Sequence, residues 1–203
     1  MINTIIFDLG AVLIDWNPNH LYNKLIANEE ERTHFLTHIC SPDWNEEQDA
    51  GRSLAEGTAV LVQQFPEHEE NIRAFYGRWE EMLGGPIAGT VEIFKQLKGS
   101  GRYKLYALTN WSAETFEIAL QHYDFLNWFD GIVVSGIEKI RKPNPEFYRT
   151  LLNRYKVNTA EALFIDDNLR NVKAAEELGI NSFHFTSAAD LNIFLKQQQI
   201  LIA

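Results

Sequence analysis

The chain has 203 residues, 45% of them hydrophobic, and a formal net charge of -10. That length and apolar content suit one large domain or a core plus a small one, and the acidity argues against nucleic acid and anionic membrane as partners. A single cysteine, Cys40, excludes an internal disulfide and a cysteine metal cluster. No apolar run approaches the ~20 residues of a membrane span, and no basic-then-apolar leader opens the chain, so the expectation is a soluble cytoplasmic protein.

Taken in order, Ile5, Ile6 and Phe7 form a short apolar run of the kind buried on both faces of a parallel sheet. Asp8 follows at the carboxyl end of that run, where open α/β sheets bind ligands. After Asp15 the pattern turns helical, with Asn17-Pro18 as a cap and first helical position. No convincing strand is predicted from there to Leu83. Ser53-Leu-Ala-Glu56 reads as a capping box opening a helix to about Phe65, and Pro66 breaks it before a second helix over 67–83. Gly84-Gly85-Pro86 is a breaker cluster and a natural return point. These features predict a helical cap over residues 16–84, inserted into a core made of 1–15 and 85–203.

The rest alternates. Helices are expected over 90–98, from Ser112 to about His122, from Pro145 to about Tyr155, to about Leu178 before Gly179, and after Ser187. Strands are expected over 103–108, 131–134, 162–165 and 180–185. Such alternation predicts an α/β fold, a doubly wound, Rossmann-like parallel sheet.

Several polar groups end predicted strands and so share one crevice. Asp166 and Asp167 would face Asp8 there. Two carboxylates ~4 Å apart repel by roughly 4 kcal/mol at an effective dielectric of 20, and a third worsens this unless a cation sits among them. Oxygen ligands alone favour Mg2+. Lys142, fixed by Pro143, can neutralise a nucleophile and a phosphoryl group. Thr109 and Asn110 offer donors for phosphoryl oxygens. Arg141 is expected to face solvent, and Asn171 to tie the acidic loop in place. Candidate substrate contacts are Trp16, Trp44, Asn45, Arg52 and Trp111: Trp faces suit sugar rings, and Arg suits a second anion. The six histidines show no metal-ligand spacing.

Asp8, Leu108-Thr109-Asn110, Arg141-Lys142-Pro143 and Phe164-Ile165-Asp166-Asp167-Asn168 resemble, in this order, the four motifs of the haloacid dehalogenase-like hydrolase superfamily. The likeness covers nearly the whole chain. It is closest to phosphatase-type members with a helical cap, including sugar-phosphate phosphatases that open with Phe-Asp-Leu-Gly. The resemblance implies a Mg2+-dependent phosphomonoesterase acting on a small phosphorylated metabolite through an aspartyl-phosphate on Asp8. It implies Asp8, the Gly10 carbonyl and Asp166 as metal ligands, with Asp167 acting directly or through water. Many phosphatases of the family carry an Asp two residues after the nucleophile to protonate the leaving oxygen. Here Gly10 stands at that position, and Asp15 is no obvious substitute. Two other readings fit parts of this set. A 2-haloacid dehalogenase would use the same Asp8 on carbon, but such enzymes have no Asp pair in the last motif. A non-catalytic binding or regulatory protein would not need the otherwise complete set.

Overall fold

The computed structural model describes residues 1–200. Five strands form one parallel sheet: β1 (Thr4–Phe7), β4 (Lys104–Thr109), β5 (Gly131–Val134), β6 (Ala162–Asp166) and β7 (Asn181–His184), in the order β5-β4-β1-β6-β7. Strand β1 is the middle one, and its four residues are all buried. Alternate side chains feed opposite cores, as the two-residue period of a strand requires. Ile5 and Phe7 join Phe94, Phe116 and Leu191 on one face. Those three come from α6 (Ala88–Ser100), α7 (Ala113–His122) and α11 (Ala188–Gln197). Ile6 joins Phe147, Leu151 and Ala175 on the other face, from α9 (Pro145–Tyr155) and α10 (Leu169–Glu177). The sheet is therefore doubly wound, with helices on both faces.

The predicted caps form. Ser53, Ser112, Asn144 and Ser187 each accept a hydrogen bond from a backbone N–H in the first turn of the helix that follows. Asn17 Oδ1 accepts from Asn19 N at 2.9 Å, but the first helix, α1 (Asn19–Leu25), has Pro18 rather than Asn17 at its N-cap position, one residue later than expected.

One expectation is corrected. Two short strands, β2 (Ile14–Trp16) and β3 (Leu83–Pro86), pair antiparallel where the chain leaves the sheet and where it returns. The Gly-Gly-Pro cluster thus does not simply break structure; it is half of a ribbon, with Gly85 at φ +103°, a conformation that glycine adopts without a Cβ penalty. Between the ribbon strands, residues 17–82 hold only helices and turns. They include α2 (Glu29–His34), α3 (Pro42–Asp49), α4 (Leu54–Gln64) and α5 (Glu69–Gly77). A short helix, α8 (Ser135–Glu138), follows β5. Among the described residues, no helix is long and apolar enough to cross a membrane.

Candidate active site

Four polar groups converge at the carboxyl ends of the central strands. Asp8 directly follows β1, Asp166 ends β6, Thr109 ends β4, and Lys142 sits in the loop between α8 and α9. Lys142 is fully buried. Its Nζ lies 2.9 Å from Asp8 Oδ1 and 2.7 Å from Asp166 Oδ2. It also stands 5.6 Å from the centroid of the Phe164 ring. A buried ammonium is tolerated because two carboxylates meet it. Burial works against its charge, but Asp166 and Asp8 outweigh that and hold its pKa above the usual lysine value.

Asp8 is pushed up to about 7, chiefly by burial, with Lys142 pulling down and Asp166 and Asp167 pushing further up. Its Oδ1 also accepts from Leu9 N at 2.8 Å. Asp166 is more fully tethered. Its Oδ1 accepts from Asn168 N at 2.8 Å, and Asn171 Nδ2 forks to both oxygens at 3.1 and 3.2 Å. Asn171 thus ties the acidic loop.

Asp8, Asp166 and Asp167 each offer a carboxylate oxygen, and these oxygens lie within 4.8 Å of one another. An all-oxygen set that repels itself fits a hard divalent ion such as Mg2+.

Thr109 and Asn110 separate in role. Thr109 Oγ1 is buried and has no hydrogen-bond partner among the described residues. A buried hydroxyl without a partner is uncommon in a folded chain and leaves a donor free at the carboxyl end of β4. The Asn110 side chain is engaged by the chain itself, accepting from Lys142 N at 2.8 Å and donating to Lys142 O at 3.0 Å. It aims the Lys142 loop and keeps one amide hydrogen.

Beside this cluster lies a cavity of ≈ 70 Å³, walled by Gly10, Asn110, Trp111 and Ser112 from the sheet's loops and by Thr115 of α7. Trp16 joins them from β2, and Asn45, Asp49, Tyr76 and Trp79 come from the helical insertion. Trp16, Asn45 and Trp111 therefore share one cavity. Trp44 and Arg52 are not among its walls. Trp44 packs edge-on to Phe75 and donates from Nε1 to Gly57 O at 3.1 Å. Arg52 donates to Gln48 Oε1 at 2.6 Å. Both are engaged inside the insertion. Arg141 does not face solvent alone: it pairs with Glu46 of α3 at 2.7 Å, and Arg170 of α10 pairs with the same carboxylate at 2.7 Å. These two contacts tie the insertion to the Lys142 loop and to the first turn of α10, which follows the Asp166-Asp167 loop. Asp15 pairs with His20 Nε2 at 2.9 Å and is not a wall of the cavity.

Sequence reasoning did not single out Asp49, Tyr76, Trp79, Ser112 or Thr115 as walls. Asp49 is pushed up to about 7 by burial and by Glu46, against Arg141, the Ser112 amide and Lys142.

The fold and the acid–lysine cluster at the carboxyl edge of the sheet define an enzyme of the hydrolase class. The chain belongs to the haloacid dehalogenase-like hydrolase family, whose model matches residues 2–179. It is similar to a sesquiterpene phosphatase of Aspergillus oryzae, 31% identical, over 95% of this chain and 94% of that one. It is also similar to pyrophosphatase PpaX of Bacillus velezensis, 27% identical, over 88% of this chain and 80% of that one. Among solved structures, a haloacid dehalogenase family enzyme of Bacteroides thetaiotaomicron, in complex with magnesium and inorganic phosphate, superposes with a TM-score of 0.69 at 21% identity. The match covers 92% of this chain and 95% of that one, and at that identity it speaks to the fold alone.

Proposed function

We propose that the protein is a Mg2+-dependent phosphomonoesterase for a small phosphorylated metabolite, working through an aspartyl-phosphate on Asp8. The observation that carries this reading is Lys142, fully buried and within 2.9 Å of Asp8. A carboxylate can attack an anionic phosphoryl group only where positive charge is already in place.

Asp8, Asp166, Asp167 and the Gly10 carbonyl would hold Mg2+, which would neutralise charge on the phosphoryl oxygens. The chain's own residues do the rest. The Asp8 carboxylate attacks phosphorus and the bond to the leaving oxygen breaks. Lys142 stays protonated through the step and faces the charge that builds up. Thr109 Oγ1 donates to a non-bridging oxygen. Water then attacks the acyl phosphate, phosphate departs and Asp8 returns as a carboxylate.

In this reading residues 16–84 are the cap, residues 1–15 and 85–203 are the core, and the β2–β3 ribbon is the hinge. A cavity of ≈ 70 Å³ is far smaller than the several hundred Å³ usual for small-molecule sites, so the cap opens to admit substrate and closes to exclude water. Trp16, Asn45 and Trp111 contact the body of the substrate. Aromatic walls suit a ring or an apolar chain, and the sesquiterpene phosphatase relative supports the latter. The test is a phosphate-release screen over prenyl monophosphates, sugar phosphates, nucleotides and acyl phosphates, with and without Mg2+. Release that needs Mg2+ and is lost in Asp8→Asn is expected. Full release in excess chelator contradicts the reading.

A further inference from the structure

Phosphoryl transfer to Asp8 leaves an alkoxide unless a proton arrives, and position 10 has no side chain to bring one. A Cβ built on Gly10 would meet nothing within 4 Å. That space adjoins the cavity beside the acid cluster, and one carboxyl of the helical insertion also walls that cavity: Asp49, at the end of α3. Glu46, on the same helix, is held by Arg141 and Arg170. Asp15 is held by His20 outside the cavity. Asp49 makes no ion pair among the described residues. Its Oδ2 accepts from Asn45 Nδ2 at 3.0 Å, while Asn45 Oδ1 accepts from the Tyr76 hydroxyl at 2.9 Å and that hydroxyl accepts from Gln48 Nε2 at 3.1 Å. This relay fixes the carboxyl's orientation.

Resting on the phosphatase reading, we infer that Asp49 is the general acid and base that stands in for the side chain absent at Gly10. In the first half-reaction the phosphorus–oxygen bond of the ester breaks, and the leaving oxygen takes the Asp49 proton. In the second, the Asp49 carboxylate takes a proton from water as that water attacks the acyl phosphate. The bond from phosphorus to Asp8 breaks and Asp49 is again a carboxylic acid. The charged groups facing it are Glu46 on its own helix and Arg141 and Lys142 from the loop opposite, with the Ser112 amide beside it. Between them and burial they bring its pKa to about 7, which suits a group that must both give and take a proton near neutrality.

The experiment compares kcat/KM for 4-nitrophenyl, phenyl and benzyl phosphate, so that the leaving group changes while the aromatic body stays. For Asp49→Asn, benzyl phosphate hydrolysis should fall 10²- to 10⁴-fold, a range typical of lost general acid catalysis. The 4-nitrophenyl ester needs no protonation and should fall less than about tenfold, which also shows that the variant is folded. Gly10→Asp in the Asp49→Asn background should recover benzyl phosphate turnover by at least about tenfold, by restoring a carboxyl to the empty space. Equal losses for all three esters, or no loss for benzyl phosphate, overturn the role given to Asp49 while leaving the phosphatase reading intact. Absence of release from every ester by the wild type overturns that reading, and this inference with it.

Discussion

Replacing Lys142 by Met tests the electrostatic core of the site. Nζ lies 2.9 Å from Asp8 and 2.7 Å from Asp166, so each pair attracts by roughly 6 kcal/mol at an effective dielectric of about 20. Those gross attractions are largely offset by the cost of burying three charges. Removing the cation alone keeps the cost and forfeits the gain, which typically destabilises by 3–5 kcal/mol. Asp8 already sits at about 7, so protonation relieves part of the strain near neutral pH. The loss should be about 3 kcal/mol at pH ~7 and grow by up to about 1.4 kcal/mol per unit above it. Asp8→Asn should recover at least about 1 kcal/mol in the Lys142→Met background, because it removes the repulsion directly. The assay is urea unfolding of all four proteins in excess chelator, with kcat/KM measured alongside in Mg2+. Activity should fall at least about 10²-fold. A destabilisation under about 0.5 kcal/mol, or additive effects of the two substitutions, would refute the reasoning.

Three further outcomes are expected. Mg2+ at 100 times its dissociation constant should raise folding stability by about 2.7 kcal/mol, read as a shift in the urea midpoint, and Asp167→Asn should shrink that gain; a midpoint indifferent to Mg2+ contradicts the cation site. Glu46→Gln cuts the cap from Arg141 and Arg170, contacts worth about 0.2–1 kcal/mol each at partly exposed positions, so KM should rise a few-fold with kcat little changed and with less dependence on salt. An unchanged KM at low salt would mean that these pairs do not hold the cap shut. Finally, Asp49 is raised from 3.8 to about 7. The folded chain therefore binds more protons than the unfolded one between those values, and stability falls as pH rises through that window, by up to about 1.4 kcal/mol per unit. In chelated protein, Asp49→Asn should flatten this slope, leaving the part due to Asp8 and Asp167, both also raised; an identical slope in wild type and variant contradicts the raised value.

The sheet was legible because its signals are local. An apolar run ending in Asp8, Thr109 or Asp166 marks a buried strand and its ligand end at once, and serine or asparagine caps mark the helix starts. The β2–β3 ribbon was not legible. It joins three residues to four across more than sixty, and neither stretch has the length or alternation to announce a strand. The acid cluster could be read from strand ends, since parallel strands must deliver their carboxyl termini to one edge. The cavity could not, since its far wall depends on how the inserted helices pack. Trp16 and Trp44 are the same residue type, yet one walls the cavity from β2 and the other fills the insertion's interior. In sequence Asp49 is one more acid in the run Glu46-Glu47-Gln48-Asp49. What sets it apart is the Asn45–Tyr76 relay and its place across from Gly10, neither of which is a property of local sequence.

The central claim is that Asp8 carries the phosphoryl group, and it can be observed directly. The protein is mixed with excess 4-nitrophenyl phosphate and Mg2+, quenched in acid during turnover, treated with borohydride to reduce any acyl phosphate, and mapped by peptide mass spectrometry. The account predicts reduction at Asp8 in the wild type, and none in Asp8→Asn or in excess chelator. Phosphate release at full rate with Asp8 unmodified throughout the first turnover would contradict it.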